Sequence, residues 1–171
     1  MIPLLWVDVE TTGLDPRRHC LLELAMVATD ASLEVEARVA AVFPVAPRVM
    51  PPEVRAMHEA NGLLAECREL RRTMTTIMAI EQIDYLNDFA EEFSGRPIAG
   101  SNPSFDRAFL RRYLPNVERH FHYRSFDVNT LAYFFGVEKP RPATAHRAMD
   151  DVMSDVEFAK SLLTKFWPVV K

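Results

Sequence analysis

Trp6-Val7-Asp8-Val9-Glu10-Thr11-Thr12-Gly13-Leu14 is an apolar strand pattern that ends in two acids. Side chains alternate along a strand, so Asp8 and Glu10 share one face while Val7 and Val9 take the other. Two like charges held roughly 7 Å apart on a buried strand repel, and each loses hydration. A hard divalent cation that takes carboxylate oxygens would compensate them, which makes the pair a candidate Mg²⁺ or Mn²⁺ site. A solvated strand end explains an isolated Asp-x-Glu equally well. The metal reading therefore depends on whether further acids reach the same place.

The chain around this stretch supplies a scaffold for such convergence. Thr12 to Pro16 reads as a turn, residues 21–29 as a second apolar strand, and residues 33–39 alternate apolar with charged, as a strand with one wet face does. Three strands joined by short turns predict an antiparallel meander. Prolines 44, 47, 51 and 52 mark a surface connection. Residues from 53 to about 72 follow a helical pattern broken at Asn61-Gly62. Ile77, Ile80, Ile83, Leu86, Phe89, Ala90 and Phe93 form the apolar stripe of the next helix. Residues 97–100 suit a short buried strand, and a helix over about 105–113 puts Asp106 near its start. Residues 123–126 read as another short strand, with Asp127 capping a helix that runs through Phe135. The last helix is expected from about Thr144 to Phe166, with Ala148, Val152, Val156, Ala159, Leu163 and Phe166 facing the core. Strands first and then alternating with helices predict an α/β fold, a mixed sheet flanked by helices.

Composition narrows the function. At 171 residues and 49% hydrophobic, the chain is expected to form a single domain over residues 1–171. Cys20 and Cys67 have no metal-ligand or redox spacing, which fits a reducing compartment. The first residues reach an acid at position 8 with no basic leader or long apolar run, so a soluble, cytoplasmic protein is expected. A net charge of −4 argues against a protein that coats long nucleic acid, and leaves a short anionic substrate open.

The last helix carries His146-Arg147-Ala148-Met149-Asp150-Asp151. Five helical residues rotate about 140°, so His146 and Asp151 share a face only if His146 lies in the preceding irregular segment, which Pro140 and Pro142 favour. That division suits a general base beside a metal ligand. Taken singly, His146 also reads as a surface histidine and Asp151 as a first-turn acid favoured by the helix dipole.

Asp8 with Glu10, Asp106 within Asn102-Pro103-Ser104-Phe105-Asp106-Arg107-Ala108-Phe109-Leu110, and His146 five residues before Asp151 together resemble the DEDDh, or DnaQ-like, family of 3′→5′ exonucleases. The resemblance spans almost the whole chain and implies a ribonuclease-H-like fold. His58-Glu59-Ala60-Asn61-Gly62-Leu63, Phe121-His122-Tyr123-Arg124-Ser125-Phe126-Asp127-Val128-Asn129-Thr130-Leu131 and the run from Asp106 to Pro115 resemble the oligoribonuclease branch of that family. The resemblance implies that Asp8, Glu10, Asp106 and Asp151 hold two Mg²⁺ or Mn²⁺ ions and that His146 is the general base. It further implies that Leu14 wedges against a terminal base and that His58, Tyr123 and Arg124 contact the substrate's 5′-phosphate end. Asn102 would stand in for the serine that usually makes a phosphate contact. A homodimer is implied, with the Tyr-Arg pair supplied by the partner, and the substrates would be short single-stranded oligoribonucleotides. The competing readings are a DnaQ-type exonuclease on single-stranded DNA or longer RNA, and a non-catalytic nucleic-acid-binding domain.

Overall fold

A computed structural model describes residues 2–46, 49–140 and 146–166. Five strands form one sheet in the order β3-β2-β1-β4-β5, comprising β1 (Leu4–Thr11), β2 (Leu21–Thr29), β3 (Val35–Val42), β4 (Pro97–Gly100) and β5 (His122–Asp127). The first three strands are antiparallel neighbours, whereas β4 and β5 add in parallel on the other side of β1. Connections of nine residues after β1 and five after β2 permit antiparallel return, and the longer connections before β4 and β5 carry the helices that parallel strands require. The expected meander and mixed sheet are thus present, although β3 lies slightly later in the chain than residues 33–39. Leu33 instead makes the turn, buried and with a left-handed φ of 64°.

The alternation read at β1 divides the core. Leu5, Val7 and Val9 pack beneath α3 (Thr76–Glu92) and α4 (Pro103–Tyr113), beside Leu86, Phe89, Phe109 and Leu110. Leu4 and Trp6 lie on the opposite face with Val152, Val156 and Ala159 of the last helix. Burying such side chains contributes about 1.5–3 kcal/mol each, so both faces hold β1 in place. Asp8 and Glu10 belong to the Trp6 face and point toward that last helix.

The pattern broken at Asn61-Gly62 resolves into α1 (Pro52–Ala60) and α2 (Leu63–Thr73), with Gly62 in the left-handed region between them. Leu63, Leu64 and Cys67 of α2 pack on Leu22 and Val42 at one end of the sheet. A short helix, α5 (Pro115–Glu118), precedes β5. After β5, α6 (Val128–Phe134) begins as expected, with the Asp127 carboxylate accepting hydrogen bonds from the Asn129 and Thr130 amides. The apolar stripe of α3 is buried only in its second half. Ile77, Ile80 and Ile83 are exposed, because periodicity specifies a face but not whether the sheet extends far enough to cover it.

The final helix, α7, runs Ala148–Phe166. Of its expected start, Thr144 lies outside the described residues, while His146 and Arg147 precede the helix. Among the described residues no helix is long and apolar enough to cross a membrane.

Candidate active site

Beyond Trp6 and Ala99, β1 and β4 cease to pair and the sheet opens. At that point only a glycine lets β4 pass so close to β1. Gly100 sits at a φ of +155°, and a Cβ there would lie 2.7 Å from the Val7 carbonyl oxygen. The freed Val9 amide is taken by α4, donating to Asp106 Oδ1 at 3.0 Å. The same separation of strands that ends the ladder therefore admits an acid from a distant helix. Asn102, in the left-handed region, and Pro103 at the first helical position turn the chain into α4 just before Asp106.

The other side of the site comes from α7. His146 adopts a φ of 22°, and its carbonyl accepts a hydrogen bond from the Asn61 side chain. Because His146 is irregular and Asp151 is in the first turn of α7, the two converge as the spacing required. Ligand atoms of Glu10, His146 and Asp151 all lie within 4.8 Å of one another.

The electrostatics follow from that crowding. Burial, then the neighbouring charges of Asp106, Glu10, Asp151 and Asp155, hold the Asp8 carboxyl well above the usual carboxylate range. Burial, reinforced by Asp151 and Glu23, pushes Glu10 up to about 9. Asp106 is raised by burial despite the bond from Val9, and Asp151 is raised chiefly by burial. Acids in this condition repel one another unless protons or cations intervene, so the donor set fits hard divalent metal ions. Asp8, Glu10, Asp106 and Asp151 would hold them.

Two further buried acids, not singled out by sequence, have been given cations by the fold. Glu23 lies directly opposite Glu10 in the β1/β2 register. Arg147 grips both Glu23 oxygens at 2.8–3.1 Å and also reaches Glu66 of α2, while the Ala148 amide donates to Glu23. The ion pairs hold the Arg147 guanidinium firmly protonated. Asp155, one turn after Asp151 and only 2% exposed, accepts from Ser101 Oγ at 3.0 Å and pairs with Lys139. Asp155 was hidden because an acid in a polar stretch of a helix carries no mark of burial. Glu23 alone hinted at its role, as an acid inside an otherwise apolar strand.

The expected substrate contacts are placed unequally. Leu14 is 82% exposed, just past the acid end of β1. Asn102 is exposed at the start of α4, where its Oδ1 accepts from Ser104 Oγ. Tyr123 and Arg124 are exposed on edge strand β5, the guanidinium over the ring at 4.7 Å. They stand near the start of a strand whose far end, Asp127, pairs with Gly100, so within this chain they do not join the acids. His58 is placed differently from the other expected contacts. Its ring has no exposed surface, because α1 turns it inward, and its Nε2 donates to the Thr11 carbonyl at 3.0 Å and lies 3.7 Å from Glu10. In this position it braces the end of β1 beside Glu10.

The geometry agrees with the chain's similarities. Residues 5–159 match the RNase_T family model, described as exonuclease. An oligoribonuclease of Baumannia cicadellinicola is 34% identical over 90% of this chain and 88% of its own. One from Dichelobacter nodosus is 33% identical, over 90% and 89%. The chain belongs to the exonuclease family, in its oligoribonuclease branch.

This exonuclease shares its fold with larger nucleases. A zinc-bound Escherichia coli ExoI–ssDNA complex aligns with a TM-score of 0.69 at 20% identity, covering 98% of this chain and 42% of that one. Exonuclease I from Methylocaldum szegediense aligns with a TM-score of 0.62 at 22% identity, covering 99% and 42%. The chain thus spans about two-fifths of those structures, and the ribonuclease-H-like fold is common to them. The exonuclease works from the 3′ end, and its family depends on divalent metal ions.

Proposed function

We propose that this exonuclease hydrolyses short single-stranded oligoribonucleotides from the 3′ end to 5′-mononucleotides, using two Mg²⁺ or Mn²⁺ ions. The observation that carries the reading is the approach of Glu10, Asp151 and His146 ligand atoms within 4.8 Å, beside the half-buried Asp8 and the buried Asp106. Bound by the four acids, divalent ions would acidify a water and neutralise charge on the leaving 3′ oxygen. Asp8 and Glu10 are fixed by β1, and Asp106 is tied to that strand through Val9, so these ligands require little reorganisation. His146 is the base that takes the proton from the attacking water. Its backbone is held by Asn61, and its neighbour Arg147 is clamped to Glu23, leaving the imidazole as the free element at the site. Leu14 abuts the terminal base, and Asn102 meets a phosphate near the scissile bond.

Tyr123 and Arg124 support a homodimer. They lie about 13 Å along β5 from the acid end, so they serve the 5′-phosphate end of a substrate held by the partner. Exposed Tyr133 and Phe134 on the adjoining α6 offer apolar surface for that association. The working compartment is the cytoplasm, consistent with two free cysteines, and residues 1–171 act as one domain.

The test is hydrolysis of matched RNA and DNA sets from two nucleotides upward, with and without a 5′ phosphate, in Mg²⁺, Mn²⁺ or EDTA. Metal-dependent release of 5′-mononucleotides, best from the shortest 5′-phosphorylated RNAs, is expected. Preferential digestion of long single-stranded DNA would overturn the substrate assignment, and metal-independent turnover would overturn the mechanism.

A further inference from the structure

Away from the acids, Arg55 of α1 and Arg68 and Arg71 of α2 line one cleft of about 240 Å³, together with exposed Ala46 and buried Leu64. Leu64, Arg68 and Arg71 follow i, i+4, i+7 spacing and so share one face of α2. Among the described residues none of the three guanidinium groups has a carboxylate within ion-pair distance, unlike arginines 72, 96, 107, 111 and 147. Arginines 17, 18, 38, 112, 119 and 124 are likewise without one, so what distinguishes Arg55, Arg68 and Arg71 is that they line the same cleft. The residues outside the described ranges contain no Asp or Glu. Three permanent cations gathered in a net-acidic protein without a counter-charge pose the mirror image of the acid cluster.

The cleft also lies at the catalytic end of the sheet. Glu10 pairs in register with Glu23, and Glu23 with Val42, so two strand spacings, on the order of 10 Å, separate Glu10 from Val42. Val42 packs with Leu64, which lines the cleft. Helix α2 touches the catalytic segment directly through Glu66 and Arg147. Planar guanidinium forks match phosphate oxygens bidentately, and more than one can share a phosphate.

We propose that Arg55, Arg68 and Arg71 form an anion subsite for a nucleotide phosphate, displaced from the cleavage site toward the β3 edge. The assignment rests on reading the chain as a nuclease of short oligonucleotides, and the phosphate belongs either to the upstream part of the bound strand or to a separate nucleotide.

The experiment compares the wild-type chain with Arg68→Gln/Arg71→Gln, their folding matched by circular dichroism. With Mg²⁺ present, the KM for a pentanucleotide should rise roughly tenfold in the variant while that for a dinucleotide stays unchanged. Inorganic phosphate should shift the arginine Nε–H resonances of the wild type, and this response should be lost in the variant. An unchanged pentanucleotide KM with a lost phosphate response assigns the subsite to a separate nucleotide. Equal KM changes at both lengths, or no phosphate response in the wild type, overturn the subsite. If neither oligonucleotide is cleaved, the functional reading fails, and the phosphate titration still decides the subsite.

Discussion

Glu10 and Glu23 stand opposite each other across β1 and β2, both buried, and the fold treats them in opposite ways. Glu23 receives a bidentate arginine and a backbone amide. Glu10 receives more acids, and its carboxyl is pushed up to about 9. A buried carboxylate that serves only structure is neutralised by the chain itself, whereas one that must accept a cation is left uncompensated. The contrast locates function more sharply than burial or charge does alone.

The largest effects should come from the uncompensated side. Asp151→Asn or Glu10→Gln should lower kcat at least about a thousandfold in saturating Mg²⁺, since on the proposed mechanism each would remove a ligand to the divalent ions. The same variants should raise the thermal midpoint of the metal-free protein, because one source of repulsion disappears. Unchanged turnover together with a lowered midpoint would break the contrast, making Glu10 a structural acid like Glu23.

Next in size, His146→Ala should reduce kcat by about 10²–10⁴-fold with little change in KM, as loss of a base predicts. An equal loss carried wholly by KM would assign His146 to binding. On the compensated side, Glu23→Gln should have the reverse stability sign. Arg147 would keep Glu66 but lose its bidentate partner in a half-buried place, costing about 2–3 kcal/mol by denaturant titration, and kcat should fall about tenfold as the His146 segment loosens. A stabilised Glu23→Gln variant would contradict the idea that this pair is already satisfied.

The mildest test uses pH alone. Between its ordinary value of 4.5 and about 9, folded Glu10 retains a proton that the unfolded chain has released. Its contribution to stability is therefore full below about pH 4.5 and is lost as pH rises through about 9. The metal-free midpoint should decline across that window, and Mg²⁺ should flatten the decline by compensating the carboxylates. Glu10→Gln should flatten it without metal. A midpoint that rises with pH across the same range would show that the acids are already paired.

Much of this architecture was legible because local chemistry and global position coincide in particular segments. The β1 alternation separates Val7 and Val9 from Asp8 and Glu10 whatever surrounds it, and Asp127 caps α6 from within its own turn. The irregular placement of His146 followed from its five-residue offset from Asp151. Other positions depended on distant partners. The stripe of α3 gave no sign that Ile77 and Ile80 would be exposed, and nothing near His58 signalled that its ring would be enclosed against Thr11 and Glu10.

The sequence by itself determined the strand and helix order, the shared face of Asp8 and Glu10, and the positions of the acids and the histidine along the chain. Those properties depend on periodicities and charges carried by the chain. Tertiary structure alone decided which acids would be paired. Arg147 is 124 residues from Glu23, and Lys139 is 16 from Asp155, so compensation is settled only when the sheet and α7 close together. Coulomb interactions depend on separation in space, and separation in space is what a linear sequence leaves unspecified.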